Sequence, residues 1–182
     1  MAGTKMSKQI LNDTLVFICT LLNDANIKDW FICYGTLLGI IREDGCIDND
    51  DDVDIIISEE HYDIVKDLLL KNNIELNHDY GINNSRNILK TKVKMIDNKV
   101  KYASIDLYMS RPDKDCSVYD KWTKILVKDC YDDNDKKTFE YKVWNDLIVY
   151  VPNNYIEKLR NLYGNDWTIK KNKKMSNKLR EI

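Results

Sequence analysis

The feature that most constrains this 182-residue chain is a dense acidic run, made of Asp48, Asp50, Asp51, Asp52 and Asp54. An apolar run of isoleucines follows it directly, as in a buried strand. Side chains alternate across a strand, so Asp52 and Asp54 point to the same face. Ionised carboxylates that close repel each other and are costly to bury unless a cation neutralises them. The run therefore predicts a metal-binding pair, with Mg²⁺ or Mn²⁺ as the expected ion because both prefer oxygen ligands.

Two other interpretations of the acidic run are open. Charge runs are commonly solvated loops, which is the simplest interpretation of the aspartates before Asp52 taken alone. The run also matches a calcium-binding EF-hand loop that starts at Asp48 and ends at Glu59. That loop needs a glycine at its sixth position, where this chain has Val53, and the isoleucines that follow indicate a strand instead.

A third acidic residue lies inside an apolar strand pattern. Asp106 stands between Ile105 and Leu107, where an isolated charge is costly to bury. If this strand lies beside the strand of Asp52, three carboxylates converge and can bind one or two metal ions for phosphoryl or nucleotidyl transfer. Asp106 is then also placed to take a proton from an attacking hydroxyl. The alternative is an aspartate that lies at a sheet edge or faces outward.

A glycine turn precedes the acidic run. A β-rich segment at residues 29–34 ends at Gly35, and a helical pattern follows with Thr36 near its cap. The N–H groups and positive dipole end of such a helix start can hold phosphate oxygens. Arg42 could reach the same phosphate, and its alternative is a surface arginine. Alone the turn is a weak signal, because many strand-to-helix turns contain Gly-Thr.

The remaining patterns predict an α+β chain. Helices are predicted at residues 7–23, 59–71 and 153–163, and strands at 74–77, 88–96 and 101–109. Hairpin turns are predicted at 97–99 and 145–146, and residues 111–135 have no clear pattern. We expect one domain over residues 1–167 and a lysine-rich tail at 168–182, the one candidate for a disordered end.

Composition excludes several classes of protein. Five scattered cysteines without a Cys-x-x-Cys pair, and only two histidines, argue against a disulfide framework, a zinc site and a Ser-His-Asp triad. The longest apolar stretch, Leu15–Leu22, is too short to span a membrane, and the first residues lack a signal pattern. A net charge of −2 gives no bias toward nucleic acid. We expect a cytoplasmic protein with no membrane span and no nucleic-acid partner.

Taken together, the motifs resemble one family, the LicD and fukutin-related transferases. That family carries a Tyr-Gly-Thr-Leu-Leu-Gly block, an arginine, a glycine and an Asp-Asp-Asp-x-Asp run in this order. The similar segments here are residues 34–42, 45–47, 50–54, 151–155 and 162–167, together with the strand around Asp106. The likeness covers most of residues 29–167. The chain departs from the family at Glu43 and Asp44, where basic residues usually follow the arginine.

The resemblance implies a nucleotidyltransferase fold, in which a mixed β-sheet is flanked by α-helices. It implies transfer of a substituted phosphate, such as phosphocholine or ribitol phosphate, from a CDP-linked donor to a glycan hydroxyl. The matching positions assign catalysis and metal binding to Asp52, Asp54 and Asp106. They assign substrate binding to Tyr34, Gly35, Thr36 and Arg42. The alternatives are a nucleotidyltransferase that moves a nucleoside monophosphate from a triphosphate to a small molecule or protein, and a non-catalytic binding module.

Overall fold

A computed structural model describes residues 3–77, 88–132 and 137–170 of the chain. The helices in these ranges are α1 (Lys8–Asp24), α2 (Tyr34–Glu43), α3 (Tyr62–Lys71) and α4 (Tyr155–Tyr163). The strands are β1 (Trp30–Ile32), β2 (Asp52–Ser58), β3 (Ile88–Lys90), β4 (Lys94–Ile96), β5 (Lys99–Tyr102), β6 (Ser104–Pro112), β7 (Val118–Asp120), β8 (Ile125–Val127), β9 (Glu140–Trp144) and β10 (Leu147–Val151). The predicted tail lies outside the described residues from residue 171 onward.

The central sheet is mixed. Its strands lie in the order β1-β2-β6-β7-β8, and β3 also pairs with β6. Strands β2 and β6 are parallel, whereas the other pairs in this sheet are antiparallel. Two hairpins, β4–β5 and β9–β10, form separate two-stranded sheets. The two strands that carry the acidic residues are therefore direct neighbours in the centre of the main sheet.

Helix α1 covers part of the core and confirms the helix predicted at residues 7–23. Ser7 caps it by accepting a hydrogen bond from the N–H of Ile10 at 3.4 Å. Its fully buried side chains recur at helical spacing and include Leu11, Leu15, Ile18 and Leu22. Among the described residues, α1 and the other helices are all too short or too polar to cross a membrane.

Both predicted hairpins are confirmed. The β4–β5 turn contains Asp97 and Asn98, with φ angles of 51° and 61°. The β9–β10 turn contains Asn145 and Asp146, with φ angles of 50° and 60°. Two consecutive positive φ angles are typical of the type I′ turn, which asparagine and aspartate tolerate better than other non-glycine residues.

The long strands predicted at residues 88–96 and 101–109 are each divided in two, which corrects the prediction. Strands β3 and β4 pair with different partners, β6 and β5, so the chain changes sheet between them. Strands β5 and β6 are separated at Ala103, whose N–H donates to the hydroxyl of Thr14 at 2.8 Å. A side chain of α1 thus replaces the strand partner at this position, and no local sequence pattern reports that.

Three smaller differences concern element boundaries. The helix predicted at 59–71 begins with a separate 3₁₀ turn, Glu59–His61, before α3. The strand predicted at 74–77 is reduced to a single bridge at Leu76. The unassigned stretch at 111–135 contains β7 and β8, which extend the main sheet through short strands.

Candidate active site

Three carboxylates converge where β2 and β6 lie side by side. Asp54 is paired in register with Asp106, and Asp52 lies two residues before Asp54 on the same face. One carboxylate oxygen from each of the three lies within 4.8 Å of the others. Asp54 and Asp106 are only 8% and 4% exposed. We refer to these three residues as the carboxylate cluster.

Burial makes ionisation of this cluster unfavourable. It raises the pKa of Asp52 to about 7, and the neighbouring charge of Asp106 adds to the effect. It raises the pKa of Asp54 well above its usual range, with Asp52 as the next cause. The pKa of Asp106 is also raised by burial, although Lys90 opposes the shift. Without a compensating cation, the three acids therefore resist carrying their full charge together.

The cluster fits a divalent cation. Among the described residues, nothing hydrogen-bonds Asp106 Oδ1, although this atom is buried. A buried acceptor without a partner is unfavourable, so this oxygen is suited to a ligand from outside the chain. Carboxylate oxygens are the ligands that Mg²⁺, Mn²⁺ and Ca²⁺ prefer. Asp52, Asp54 and Asp106 can thus hold a metal ion, and the more exposed Asp50 and Asp51 form a second acidic group with Asp52.

Two further side chains, which the sequence did not single out, contact the cluster. Lys90 Nζ donates to Asp106 Oδ2 at 2.5 Å and lies 3.6 Å from Asp52 Oδ2. The hydroxyl of Tyr108 donates to Asp54 Oδ1 at 3.1 Å. Both contacts follow from the strands. Lys90 on β3 is the register partner of Asp106 on β6, and Tyr108 lies two residues after Asp106 on β6. The alternation along β6 could have identified Tyr108, but no local signal identifies Lys90.

Helix α2 begins beside the cluster. Its N-cap is Cys33, and its first intrahelical hydrogen bond runs from the N–H of Leu37 to the Cys33 carbonyl at 3.0 Å. A Cβ at Gly35 would lie 2.6 Å from Asp50 Oδ2 and 4.0 Å from Asp54 Oδ2. Glycine thus allows the helix backbone to approach the acids closely. This places the positive end of the helix dipole next to the carboxylates, where it can also attract an anion such as a phosphate.

The first residues of α2 differ from the prediction in one respect. The helix begins two residues before Thr36, so Thr36 is not its cap. The Thr36 side chain is buried, and its hydroxyl accepts a hydrogen bond from the N–H of Asp54 at 2.9 Å. Tyr34 lies in the left-handed region with φ 46°, and its hydroxyl donates to Asp120 Oδ2 at 3.0 Å and contacts Thr123. Thr36 fixes the strand of the cluster, and Tyr34 fixes the entry to α2.

A cavity of about 530 Å³ opens beside Asp52 and Asp54 of the cluster. Asp50, Asp52 and Asp54 line its acidic end, and Tyr163 and Trp167 line an aromatic wall. Small-molecule sites commonly occupy about 300–1,000 Å³ and combine apolar walls with a few polar groups. The cavity therefore has the size and lining of a small-molecule site.

Arg42 also lines this cavity, although its charge is compensated. Its guanidinium donates to the carboxylate of Glu43 and to the carbonyl oxygen of Trp167, the latter at 3.3 Å. Glu43 also contacts Lys170, whose Nζ lies 3.1 Å from Glu43 Oε2. Glu43, where the family usually has a basic residue, thus neutralises Arg42. Through the Trp167 carbonyl oxygen, Arg42 also connects the segment after α4 to α2.

Comparison with known proteins identifies a family and a fold for this chain. Residues 27–154 match the family described as LicD/FKTN/FKRP, nucleotidyltransferase domain. Among solved structures, the chain is similar to the lincosamide antibiotic adenylyltransferase LnuA in its lincomycin-bound form, with a TM-score of 0.54, 11% identity and 85% of each chain covered. That likeness concerns the fold, and it confirms the mixed sheet flanked by helices. No curated protein sequence matches the chain.

Proposed function

We propose, because this chain belongs to the LicD/FKTN/FKRP nucleotidyltransferase-domain family, that it moves a substituted phosphate from a CDP-linked donor to a glycan hydroxyl. Family membership makes it a transferase of the phosphotransferase or nucleotidyltransferase type. The proposal adds the donor class, the acceptor class, the dependence on Mg²⁺ or Mn²⁺ and the residues that act. The transferred group is phosphocholine-like or ribitol-phosphate-like.

The observation that carries the proposal is the convergence of three carboxylates beside a helix N-terminus. Asp52, Asp54 and Asp106 supply anionic ligands within one cluster, and Gly35 brings backbone N–H groups close to them. A diphosphate-bridged donor has two phosphates that need positive partners. The helix N-terminus and a cation held by the cluster are two such partners at the same place.

In the proposed reaction, the residues of the cluster have separate tasks. Asp52, Asp54 and Asp106 would hold the cation, which would supply positive charge to the phosphate oxygens. The N-terminus of α2 orients the donor phosphates. Arg42, which lines the cavity, binds a donor phosphate once its hydrogen bonds to Glu43 break. The acceptor hydroxyl attacks the substituted phosphorus and gives its proton to Asp106 Oδ2, which has a second lone pair beside the one that accepts from Lys90. The bond from that phosphorus to the bridging oxygen breaks, and CMP leaves.

The cavity supports a donor of nucleotide size. Asp50, Asp52 and Asp54 line part of it, and Tyr163 and Trp167 offer flat apolar surfaces in the same cavity. Aromatic rings of a ligand commonly stack on such surfaces. We infer that phosphates occupy the acidic end and that the base of the nucleotide lies against the aromatic wall.

We also place the reaction in the cytosol. All five cysteines are free, and four of them are buried. Thiols in the cytosol are kept reduced, which agrees with a chain that forms no disulfide.

The proposal can be tested by following the nucleotide product. We expect CMP to appear when the protein is incubated with Mg²⁺, candidate CDP-alcohols and a glycan extract. Omission of Mg²⁺ or replacement of Asp54 by asparagine should abolish the product. Pyrophosphate release from CTP or ATP, without CMP from any CDP-alcohol, would reject this proposal in favour of nucleotidyl transfer.

Nucleotidyl transfer from a triphosphate is the second candidate because the fold is similar to that of an adenylyltransferase. The same cluster and helix N-terminus would serve that reaction, since both chemistries need metal ligands beside a phosphate site. The two reactions differ in which phosphorus is attacked, and therefore in the product released. A non-catalytic binding module is less well supported, because all three carboxylates are present.

A further inference from the structure

Lys90 occupies a position inside the carboxylate cluster. Its Nζ lies 2.5 Å from Asp106 Oδ2 and 3.6 Å from Asp52 Oδ2, so the ammonium group bridges two of the three acids. The Lys90 side chain is 19% exposed, which is low for a lysine. The backbone of Lys90 is held in place because β3 pairs with β6, with Lys90 opposite Asp106.

The two oxygens of Asp106 have different surroundings. Oδ2 accepts the hydrogen bond from Lys90, whereas buried Oδ1 has no partner among the described residues. When a carboxylate is shared by two metal ions about 3.5–4 Å apart, it can give one oxygen to each ion. Here the ammonium group stands at one of the two oxygens, and the other oxygen is left for a single ion.

The charges of the cluster also indicate that it binds one divalent ion. Three ionised carboxylates and one ammonium group leave two negative charges, which one divalent cation neutralises. A second divalent ion would have to displace the Lys90 ammonium or bind against its repulsion, since two cations cannot share Asp106 Oδ2 at this distance. The cluster is thus suited to one divalent ion together with the ammonium group of Lys90.

We propose that Lys90 is a fixed cation that takes the position of a second metal ion, so that the carboxylate cluster binds one divalent cation. This inference rests on the metal site in the proposed function. It assigns to Lys90 a positioning and charge-compensating role that does not depend on the identity of the donor or acceptor.

The test counts ions bound to the metal-free protein. Mn²⁺ is titrated by calorimetry, and free Mn²⁺ is measured by electron paramagnetic resonance. The variants are Lys90→Gln, which keeps a hydrogen-bond donor without the charge, and Lys90→Arg, which keeps the charge. Ions bound elsewhere, including at Asp50 and Asp51, are counted with an Asp54→Asn/Asp106→Asn double variant and subtracted. Lys121→Gln is the matched control, because Lys121 pairs with Glu59 at 2.6 Å outside the cluster.

We expect one Mn²⁺ in the cluster of the wild type, Lys90→Arg and Lys121→Gln, and two in Lys90→Gln. Two ions in the wild type, or one in Lys90→Gln, would overturn the inference while leaving the proposed metal-dependent function intact. No ion in the wild-type cluster would overturn both. Circular dichroism and a cooperative melt show that each variant is folded, and Lys90→Met provides a second neutral variant if Lys90→Gln does not fold.

Discussion

Asp54 and Asp106 are direct register partners on the parallel strands β2 and β6. Their side chains therefore emerge on the same face of the sheet, next to each other. A shift of one residue in this register would send Asp106 to the opposite face. The hydroxyl of Thr36 accepts the N–H of Asp54 and thereby fixes β2 against α2. The geometry of the cluster thus depends on backbone pairing as much as on the acids themselves.

Replacing Asp54 by asparagine should abolish turnover and leave the protein folded. The change removes an anionic metal ligand and also relieves repulsion from Asp52 and Asp106, since burial and these charges raise the Asp54 pKa. The melting temperature in EDTA should hold or rise, and CMP release should fall to background. Asp67→Asn, at an exposed position on α3, is the control and should keep full turnover. A fall of many degrees in the melting temperature of Asp54→Asn would show that Asp54 is structural.

The stability of the metal-free protein should depend on pH through Asp52. Its pKa is raised to about 7 in the folded state, so the folded protein holds this proton more tightly than the unfolded chain does. The free energy of unfolding therefore falls as pH rises from about 4 to about 7. Asp52→Asn stays neutral, so its advantage over the wild type should be smallest near pH 4 and grow to at most about 4 kcal/mol above pH 7, for a shift of about three pKa units.

Denaturant unfolding in EDTA at several pH values measures this difference, and a difference that does not change with pH would contradict the assignment. Adding Mg²⁺ at pH 8 should make the wild type more stable than Asp52→Asn. The ion binds the ionised folded wild type and stabilises it, whereas the variant has lost one ligand.

Gly35→Ala should mainly impair donor binding, whereas Gly39→Ala should mainly lower stability. A Cβ at Gly35 meets the end of the Asp50 side chain, which can rotate away, so the fold should lose less than about 1 kcal/mol. The displaced Asp50 and the new methyl group should narrow the phosphate site and raise the KM for the donor. A Cβ at Gly39 would instead lie 2.6 Å from the carbonyl oxygen of Gly45 and 3.0 Å from the N–H of Ile47, both of which are backbone.

Gly39→Ala should therefore lower the free energy of unfolding by about 2 kcal/mol or more. Denaturant unfolding and donor kinetics measure the two effects separately. An unchanged KM in Gly35→Ala would show that the donor does not approach the start of α2.

Tyr108→Phe should weaken metal binding about tenfold without unfolding the protein, because the hydroxyl donates to Asp54 Oδ1 and orients a ligand. Tyr34→Phe is the matched control. The two rings contact each other, but the Tyr34 hydroxyl donates to Asp120, outside the cluster. It should lower stability by about 1 kcal/mol and leave Mn²⁺ affinity unchanged. Equal affinities for Tyr108→Phe and the wild type would exclude an orienting role for this hydroxyl.

The acidic part of the site could be predicted because it depends on local rules. Alternation along one strand places Asp52 and Asp54 on a common face, and an aspartate inside an apolar strand needs a compensating partner. The position of Lys90 could not be predicted, since it depends on β3 pairing with β6 and a lysine on a short strand is ordinarily exposed. The role of Thr36 was missed for a related reason. The helix starts two residues earlier than expected. The Thr36 hydroxyl therefore does not cap the helix, and it accepts a hydrogen bond from the N–H of Asp54 on β2 instead.

The fold shows the same division between local and distant information. Turns such as Asn145-Asp146 carry their own signal in residues that tolerate positive φ. The break at Ala103 has no such local signal, because the Ala103 N–H donates to the hydroxyl of Thr14 on the first helix. Interactions between parts of the chain that are distant in sequence determine where strands stop.

The aromatic wall of the cavity has a consequence for the timing of synthesis. Tyr163 and Trp167 come after strand β10, and Arg42 holds this segment through the Trp167 carbonyl oxygen. The acids and the start of α2 leave the ribosome long before that segment does. We therefore expect the aromatic wall to form after the carboxylates are already in place, once Trp167 has emerged and its carbonyl oxygen accepts from Arg42.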